Sequence, residues 1–145
     1  MARKSGLTFV LDQNLGAPLL QMLRLARMEP VGHITSLKEL GYAPDADDED
    51  WMPHLGQRGP HVAVTRDGDI LRAAIRVEAW RRSGLTLLLL DGQWGQLPLR
   101  DLSRTLVYWW PHMVAQAEAA KPGTAWTVPH GVPAPGKAIR LVTPP

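Results

Sequence analysis

Three aspartates stand at positions from which alternating strands and helices could bring their carboxylates together. The apolar run LTFVL ends at Asp12, the run HVAVT is soon followed by Asp67, and Asp48 lies in an acidic cluster that opens a predicted helix. In an open α/β sheet, the loops after the strands form the crevice where ligands bind. Carboxylates that meet there repel one another unless a cation lies among them, and such ligands suit Mg²⁺ or Mn²⁺. The pattern indicates metal-dependent phosphodiester chemistry.

This chemistry assigns a role to each candidate residue. Attack on a phosphodiester requires a nucleophilic water and stabilisation of charge on the phosphoryl and leaving oxygens, and one or two metal ions can serve both needs. Because Mg²⁺ takes only one or two direct carboxylates, we expect Asp12 and Asp67 to bind the ion. Asp48 either binds it as well or orients the attacking water, and Asn14 is a candidate to hold Asp12 by a hydrogen bond. Weaker candidates for supporting roles are Glu49, Thr65 and Asp69.

Each aspartate also has a purely structural interpretation. Asp12 could cap a turn, and either Asp47 or Asp48 could cap the helix that follows them. Asp67 stands in an Asp-Gly pair and could be only a turn residue. Asp69 fits the cap of the next helix better than it fits a metal site.

Basic and aromatic residues near the acidic motifs could contact RNA. Arg66, Arg72 and Arg76 are candidates to hold RNA phosphates, and the last two are spaced i,i+4 on one face of a predicted helix. The alternative is a solvated helix face. Trp51 could stack on a nucleobase or pack in the core. The five histidines lack the spacing of a zinc site, so we expect core or surface roles for them.

Short apolar runs predict strands that alternate with helices. This alternation is typical of a three-layer α/β/α domain with a central, mostly parallel sheet. The predicted strands are Leu7–Leu11, Val31–Thr35, His61–Thr65, Leu85–Leu90, Ala125–Val128 and Ala138–Val142. The second is the weakest, because a proline precedes it and a glycine interrupts it. Asp91, which follows the fourth strand in an Asp-Gly pair, is predicted to be a turn residue.

Helices are predicted between these strands from caps and apolar spacing. Asn14 is predicted to cap the first helix, with Pro18 in its first turn. A short second helix is predicted to begin at the acidic cluster, with Asp47 or Asp48 as its cap, and to end by Gly56.

Two further helices are predicted in the second half of the chain. One runs from about Ile70 to Arg82 and is closed by Gly84 as its C-cap. The other runs from Leu99 to about Ala119, and Pro111 should kink it or split it in two.

Composition limits the number of domains and the classes of protein to which the chain can belong. The 145 residues, 45% of them hydrophobic, fit one domain over residues 1–145, with a core at about 7–120 and an irregular Pro/Gly-rich extension at about 121–145. The lack of cysteine excludes disulfides and thiolate zinc sites. No long apolar segment follows the basic start of the chain, so we expect a cytoplasmic protein without a signal peptide or membrane span. A net charge of +2 does not by itself predict nucleic-acid binding.

The motifs LTFVLDQNL, DDEDWM and HVAVTRDGDIL together resemble the compact PIN-like domains, in particular the branch of VapC-type toxin ribonucleases. In that pattern one aspartate ends the first strand, a second opens a helix before a tryptophan, and a third follows a strand as Thr-x-Asp. The resemblance covers residues 7 to about 92 and aligns Asp12, Asp48 and Asp67 with these acids. It implies a Mg²⁺- or Mn²⁺-dependent endoribonuclease that acts as the toxin of a toxin–antitoxin pair.

Two departures from the family pattern bear on activity. The wider family also uses a glutamate between the first two aspartates, and Glu39, the sole glutamate near that place, is not expected to serve. Gln13 stands where related compact forms often carry a second acid, which leaves one charge fewer. The alternative is therefore a non-catalytic PIN-like domain that binds RNA or a protein. A small phosphatase or receiver-like domain ranks third. Such a domain would need a lysine late in the sheet, and the only lysines late in the chain, Lys121 and Lys137, lie in the Pro/Gly-rich extension.

We also expect a homodimer and a protein antitoxin as partners. Tyr108, Trp109 and Trp110 are consecutive, so a helix points them in three directions and at least one should lie on a surface. Aromatic surface patches commonly mark protein interfaces. The antitoxin is implied by the resemblance alone, and it could inhibit by sending an Arg or Lys toward the acidic residues.

Overall fold

A mostly parallel sheet of six strands forms the centre of the protein. The computed structural model describes residues 6–30, 33–67, 69–131, 133 and 137–144. The strands are β1 (Thr8–Leu11), β2 (Ile34–Ser36), β3 (His61–Thr65), β4 (Thr86–Leu90), β5 (Ala125–Val128) and β6 (Arg140–Val142). Their order across the sheet is β2-β1-β3-β4-β5-β6. The first five run parallel to one another, and β6 is antiparallel to β5.

Helices cover both faces of this sheet. They are α1 (Ala17–Leu25), α2 (Asp48–Gly56), α3 (Ala74–Ser83) and α4 (Leu99–Ala119). Helices α1 and α4 pack on one face against residues such as Phe9 and Val62, whereas α2 and α3 pack on the other against Val10 and Ala63. Successive strand side chains point to opposite faces, so neighbouring residues of one strand enter different cores. The predicted three-layer α/β/α class is confirmed.

Most of the predicted elements have nearly the predicted bounds. β3, β5 and α4 match them, and β1 and β4 each begin one residue later. Strand β2 begins at Ile34, and the start of the predicted strand, Val31 and Gly32, lies outside the described residues. The last strand is shorter than predicted and covers only Arg140–Val142.

The prediction that Asn14 caps the first helix is wrong. Asn14 lies inside a 3-10 turn, Gln13–Leu15, whose cap is Asp12. Gly16 takes the cap position of α1 with no side-chain hydrogen bond, and the predicted proline lies in the first turn. The turn leaves the Asn14 side chain free to reach across to β3.

The third helix starts four residues later than predicted. Ile70 and Leu71 lie in a turn before it, yet both are buried, so their apolar character reflects packing rather than helix. Ala73, not Asp69, occupies the cap position, and the prediction that Asp69 caps this helix is therefore wrong. Gly84 closes α3 in the left-handed conformation at φ 71°, as predicted.

Pro111 does not split α4. The helix continues from Leu99 to Ala119 with this proline inside it. Proline costs the helix one backbone hydrogen bond, and the buried side chains of Trp109, Trp110 and Met113 offset the loss. Within the described ranges, no helix is long and apolar enough to cross a membrane.

Candidate active site

Asp12 and Asp67 lie at the same edge of the sheet because the strands that precede them are neighbours. β1 and β3 pair in parallel, and the pairing continues past β1, where the Asp12 amide donates to the Val64 carbonyl at 2.9 Å. Parallel strands end at one edge, so the loops after both strands open there. The two aspartates share the C-terminal edge, as the strand pattern predicts.

The Thr65 hydroxyl links Asp12 to the loop that carries Asp67. Thr65 Oγ1 donates to Asp12 Oδ2 at 2.7 Å. It accepts hydrogen bonds from Asn14 Nδ2 at 3.2 Å and from the Asp67 amide at 3.0 Å. The other Asp12 oxygen accepts from the Gln13 amide at 2.7 Å, which is the turn cap. Asn14 therefore reaches Asp12 through Thr65, not through the direct hydrogen bond that we expected.

Asp48 is delivered from the helical layer rather than from the sheet. It is the first residue of α2, half-buried, and its Oδ1 accepts a hydrogen bond from Trp51 Nε1 at 2.9 Å. Asp47 occupies the cap position but makes no side-chain cap bond. Trp51 is only 2% exposed, so it packs in the core and is not available to stack on a nucleobase.

Burial raises the pKa of Asp12. This carboxyl is 9% exposed, and loss of water disfavours its charged form. The hydrogen bonds from Thr65 and Gln13 lower the pKa, and repulsion from the Asp67 carboxylate raises it further.

Burial likewise raises the pKa of Asp48. The Trp51 hydrogen bond lowers it, repulsion from Asp12 and Asp67 raises it, and the nearby Arg76 guanidinium lowers it. The Asp67 carboxylate thus raises the pKa of both Asp12 and Asp48. We call this site the acidic edge and define it by Asp12, Asp48 and Asp67.

The weaker acidic candidates occupy the rim of this acidic edge. The Asp69 amide donates to Asp67 Oδ1 at 3.0 Å, which fixes the turn after β3. The Asp69 carboxylate forms a largely exposed ion pair with Arg72, with Nε and Oδ1 3.1 Å apart. Glu49 follows Asp48 in the first turn of α2.

The three arginines proposed to hold RNA make contacts within the protein. Arg66 Nε donates to the Asn14 carbonyl at 2.9 Å. Arg76 donates to the Asp69 carbonyl at 2.7 Å and to the Ile70 carbonyl at 3.2 Å. Arg72 lies in the turn before α3, so the prediction that it shares a helix face with Arg76 is wrong.

The two departures from the family pattern have structural roles elsewhere. The Gln13 side-chain amide donates to the Ala43 carbonyl at 3.0 Å and ties the loop after β2 to the turn after β1. Glu39 accepts hydrogen bonds from Arg24 at 2.6 and 2.7 Å and from Thr35 at 2.8 Å. The Arg24 hydrogen bond lowers the pKa of Glu39. Glu39 thus binds a residue of α1 rather than the acidic edge.

The donor chemistry at the acidic edge fits a hard divalent cation. Its three carboxylates are of the ligand type that Mg²⁺ prefers, and Mg²⁺ needs only one or two of them directly because it keeps several waters. Among the described residues, no three or more His, Cys, Asp or Glu side chains are grouped so as to hold a metal ion. The acidic edge therefore offers the right ligand type without a closed set of protein ligands.

A comparison with family models identifies the fold family. A model described as "PIN like domain" matches residues 7–92, which is more than half of the chain. The chain belongs to the PIN-like domain family. The matched range of this PIN-like domain includes all three residues of the acidic edge and ends just after β4, so α4, β5 and β6 lie beyond it. A search of curated proteins and a search of solved structures found no match.

Sequence reasoning missed the contacts that the arginines make with main-chain carbonyls. Arg76 binds two carbonyls of the turn after β3 and lowers the pKa of Asp48. No local pattern signals such a contact, because it depends on where α3 begins. The prediction placed Arg76 in mid-helix, whereas it is the third residue of α3 and faces the turn.

Proposed function

We propose that this PIN-like domain is a Mg²⁺- or Mn²⁺-dependent endoribonuclease with Asp12, Asp48 and Asp67 as its metal-binding and catalytic residues. The observation that carries the proposal is that Asp12 and Asp67 meet at one edge of the sheet, joined through the Thr65 hydroxyl, while the Asp48 carboxyl from α2 interacts with both. Burial and repulsion from neighbouring carboxylates disfavour the charged forms of Asp12 and Asp48. A divalent cation among them would relieve that repulsion, and phosphodiester hydrolysis is the chemistry that such an ion serves.

Each residue of the acidic edge has a role in the proposed reaction. A bound divalent ion would stabilise the charge that develops on the phosphoryl group and assist formation of the nucleophile. Asp12 and Asp67 would hold the ion, and Thr65 would fix Asp12 through its hydrogen bond. Asp48 would orient the attacking water. The water oxygen bonds to phosphorus and loses a proton, while the bond from phosphorus to the leaving ribose oxygen breaks and that oxygen gains a proton.

The biological role proposed for this activity is that of a toxin restrained by an antitoxin in the cytoplasm. The support is the resemblance of the three acidic motifs to VapC-type toxins. A cationic side chain of the antitoxin could occupy the acidic edge, since an opposite charge favours ionised carboxylates. Induced expression of the wild-type chain should slow bacterial growth and degrade cellular RNA, and Asp12→Asn should relieve both. Unchanged growth and intact RNA on induction would remove the toxin role.

Metal-dependent cleavage of RNA is the direct test of the proposed enzyme. Wild-type protein should cleave RNA with Mg²⁺ or Mn²⁺ and lose activity in excess EDTA. Asp12→Asn and Asp67→Asn should abolish cleavage, because Asn keeps the shape and removes the charge. Asp45→Asn, in an exposed loop, is the matched control and should cleave like wild type. Equal cleavage in EDTA would refute the metal mechanism.

A second candidate function is a non-catalytic domain that binds RNA or a protein. It is favoured by the commitment of Gln13 and Glu39 to structural contacts, which leaves the acidic edge with three carboxylates. RNA binding without cleavage under any divalent ion would establish this alternative.

A further inference from the structure

A cavity lined by two cationic side chains lies at the C-terminal edge of the sheet, two strands away from β3. It has a volume of about 300 Å³. Its lining consists of Asp91, Thr127, Pro129, Lys137, Ala138 and Arg140. Asp91 follows β4 and its amide donates to the Val128 carbonyl of β5 at 3.2 Å, so the cavity opens where these two strands end. We call it the β5 cavity.

Positive charge predominates in the β5 cavity. Lys137 and Arg140 are both exposed, and neither side chain has an ion-pair or hydrogen-bond partner in the part of the chain that the structure describes. The one acid of the lining, Asp91, is already engaged. Its Oδ1 accepts from the Gln93 amide at 3.3 Å, and its Oδ2 lies 3.5 Å from His130 Nδ1.

His130 adds a buried polar atom beside the cavity. Its Nδ1 is shielded from solvent and has no hydrogen-bond partner among the described residues, although it is within ion-pair distance of Asp91. A buried polar atom without a partner is costly. The nearest polar group is the Asp91 carboxylate, with Oδ2 3.5 Å away.

The Lys137 ammonium is positioned by the loop that follows β5. A Cβ added at Gly131 would come 2.6 Å from Lys137 Nζ, so the ammonium lies close to the main chain of Gly131. Gly131 is in turn fixed to α4, because its carbonyl accepts a hydrogen bond from Trp109 Nε1 at 2.6 Å. The Lys137 ammonium therefore lies beside the loop after β5, close to the cavity that it lines.

The β5 cavity and the acidic edge lie along the same C-terminal edge of the sheet. β1, β3, β4 and β5 are consecutive neighbours. At the usual strand spacing of about 4.8 Å, three steps place the end of β5 about 14 Å from the end of β1. A single-stranded polynucleotide that places one phosphodiester at the acidic edge can extend along the edge to the β5 cavity.

We infer that the β5 cavity binds a backbone phosphate of single-stranded RNA through Lys137 and Arg140. The inference deepens the proposed function and rests on it for the identity of the polymer. The phosphate would face two cations, the Thr127 hydroxyl and, as the one unfavourable neighbour, the Asp91 carboxylate paired with His130. Arg66 and Arg76 donate to main-chain carbonyls, and Arg72 pairs with Asp69, whereas the cavity cations are unpaired among the described residues.

Binding of RNA in EDTA tests the inference without any requirement for cleavage. Fluorescence anisotropy of a labelled single-stranded RNA would be measured over a range of salt for the wild type and for Lys137→Ala with Arg140→Ala. The double variant should bind about tenfold more weakly, and the slope of log affinity against log salt should fall in magnitude by about 1.4. The matched control is Lys121→Ala with Arg82→Ala. This control double variant also removes two positive charges, but near the opposite edge of the sheet. It should keep the wild-type affinity and the wild-type salt slope.

The outcomes separate this inference from the proposed function. Cleavage by wild type with no loss of binding in the Lys137/Arg140 variant would overturn the inference and leave the enzyme intact. An equal loss in the control variant would also overturn it, because net charge alone would then explain binding. A wild type that neither binds nor cuts RNA would overturn both. Equal affinity for RNA with and without a 5′-phosphate supports binding of a backbone phosphate. A higher affinity that requires both the terminal phosphate and the two cations overturns that assignment.

Discussion

A single hydroxyl organises the acidic edge at the scale of residues. Thr65 Oγ1 has one proton, which it gives to Asp12, and two lone pairs, which accept from Asn14 Nδ2 and the Asp67 amide. Its hydrogen-bonding capacity is filled. The position of each of the two sheet-borne aspartates therefore depends on the same oxygen.

Replacement of this hydroxyl should separate its chemical role from its packing role. Thr65→Val keeps the shape but leaves Asn14 Nδ2 and the Asp67 amide without their acceptor, so we expect a loss of about 2–3 kcal/mol in the free energy of unfolding. Thr65→Ser keeps the hydroxyl and should cost about 1 kcal/mol or less. Urea unfolding measures both. Little loss in Thr65→Val together with a clear loss in Thr65→Ser would mean that the buried methyl group, rather than the hydrogen bonds, stabilises this position.

Repulsion within the acidic edge makes a prediction that needs no activity assay. Asp67→Asn removes one charge, so the pKa values of Asp12 and Asp48 should both fall toward the ordinary value of 3.8. Carboxyl NMR titration measures each group. Asp69→Asn is the control, because its charge does not contribute to either shift. Unchanged pKa values in Asp67→Asn would show that the carboxylates do not meet.

The sequence predicts the residues of the acidic edge better than their neighbours. An aspartate at the end of a buried strand has its edge decided by strand order, and parallel pairing of β1 with β3 brings Asp12 and Asp67 to one edge. The partners of Arg76 and Glu39 were not predictable in this way. Each contact joins a long side chain to a segment whose position depends on the packing of a helix.

At the scale of elements, continuous apolar runs predict the strands reliably. The first residues of helices are predicted poorly from local caps and apolar spacing. β4 is buried along its whole length, so its leucines carry an unambiguous signal. The start of α3 was misplaced because Asp69 resembles a cap and Ile70 and Leu71 resemble a first apolar turn. These two residues are buried by tertiary packing in a turn, which local spacing cannot distinguish from a helix.

Helices α2 and α3 are in close contact at their C-terminal ends. A Cβ at Gly56 would overlap the carbonyl oxygen of Ser83, which is main chain and cannot rotate away. Gly56→Ala should therefore destabilise the fold by about 2 kcal/mol despite the better helix propensity of alanine. Gly92→Ala is the matched control, with no atom within 4 Å of the added Cβ, and should change stability by less than about 0.5 kcal/mol. Thermal or urea unfolding of both variants decides the point, and a neutral Gly56→Ala would contradict it.

At the scale of the whole molecule, the acidic edge should make stability depend on pH with a definite sign. The folded pKa values of Asp12 and Asp48 are raised above 3.8, so between 3.8 and the folded values the native state binds more protons than the unfolded chain. Their contribution to stability then falls as pH rises through this window. Glu39 has a lowered pKa and acts in the opposite sense below 4.5.

Comparison with a variant isolates the contribution of Asp12 to this pH dependence. Asp12→Asn removes one titrating group, so its stability relative to wild type should increase as pH rises through the window above 3.8. Urea unfolding at a series of pH values measures the difference. A difference that stays constant with pH would mean that the pKa of Asp12 is the same in the folded and unfolded states.

The long helix α4 carries the surface from which we predict a dimer. Tyr108 is 51% exposed whereas Trp109 and Trp110 are buried, so one of the three consecutive aromatic residues does lie on the surface, beside the partly exposed Val107. Light scattering at high micromolar concentration should give twice the 16.0 kDa mass of one chain. Tyr108→Glu should give the monomer mass, and Tyr108→Phe should keep the dimer. A monomeric wild type would refute the dimer.

The close contact at Gly56 also makes α2 a lever. Asp48 begins this helix and Gly56 ends it, so at 1.5 Å per residue the carboxylate-bearing end lies about 12 Å from the pivot on Ser83. A tilt of only about 5° at the pivot would move the Asp48 end by about 1 Å over that length. A displacement of this size can cost a reaction about 100-fold. Substitutions at the opposite edge of the sheet, remote from every carboxylate, could therefore silence the proposed cleavage while leaving the molecule folded.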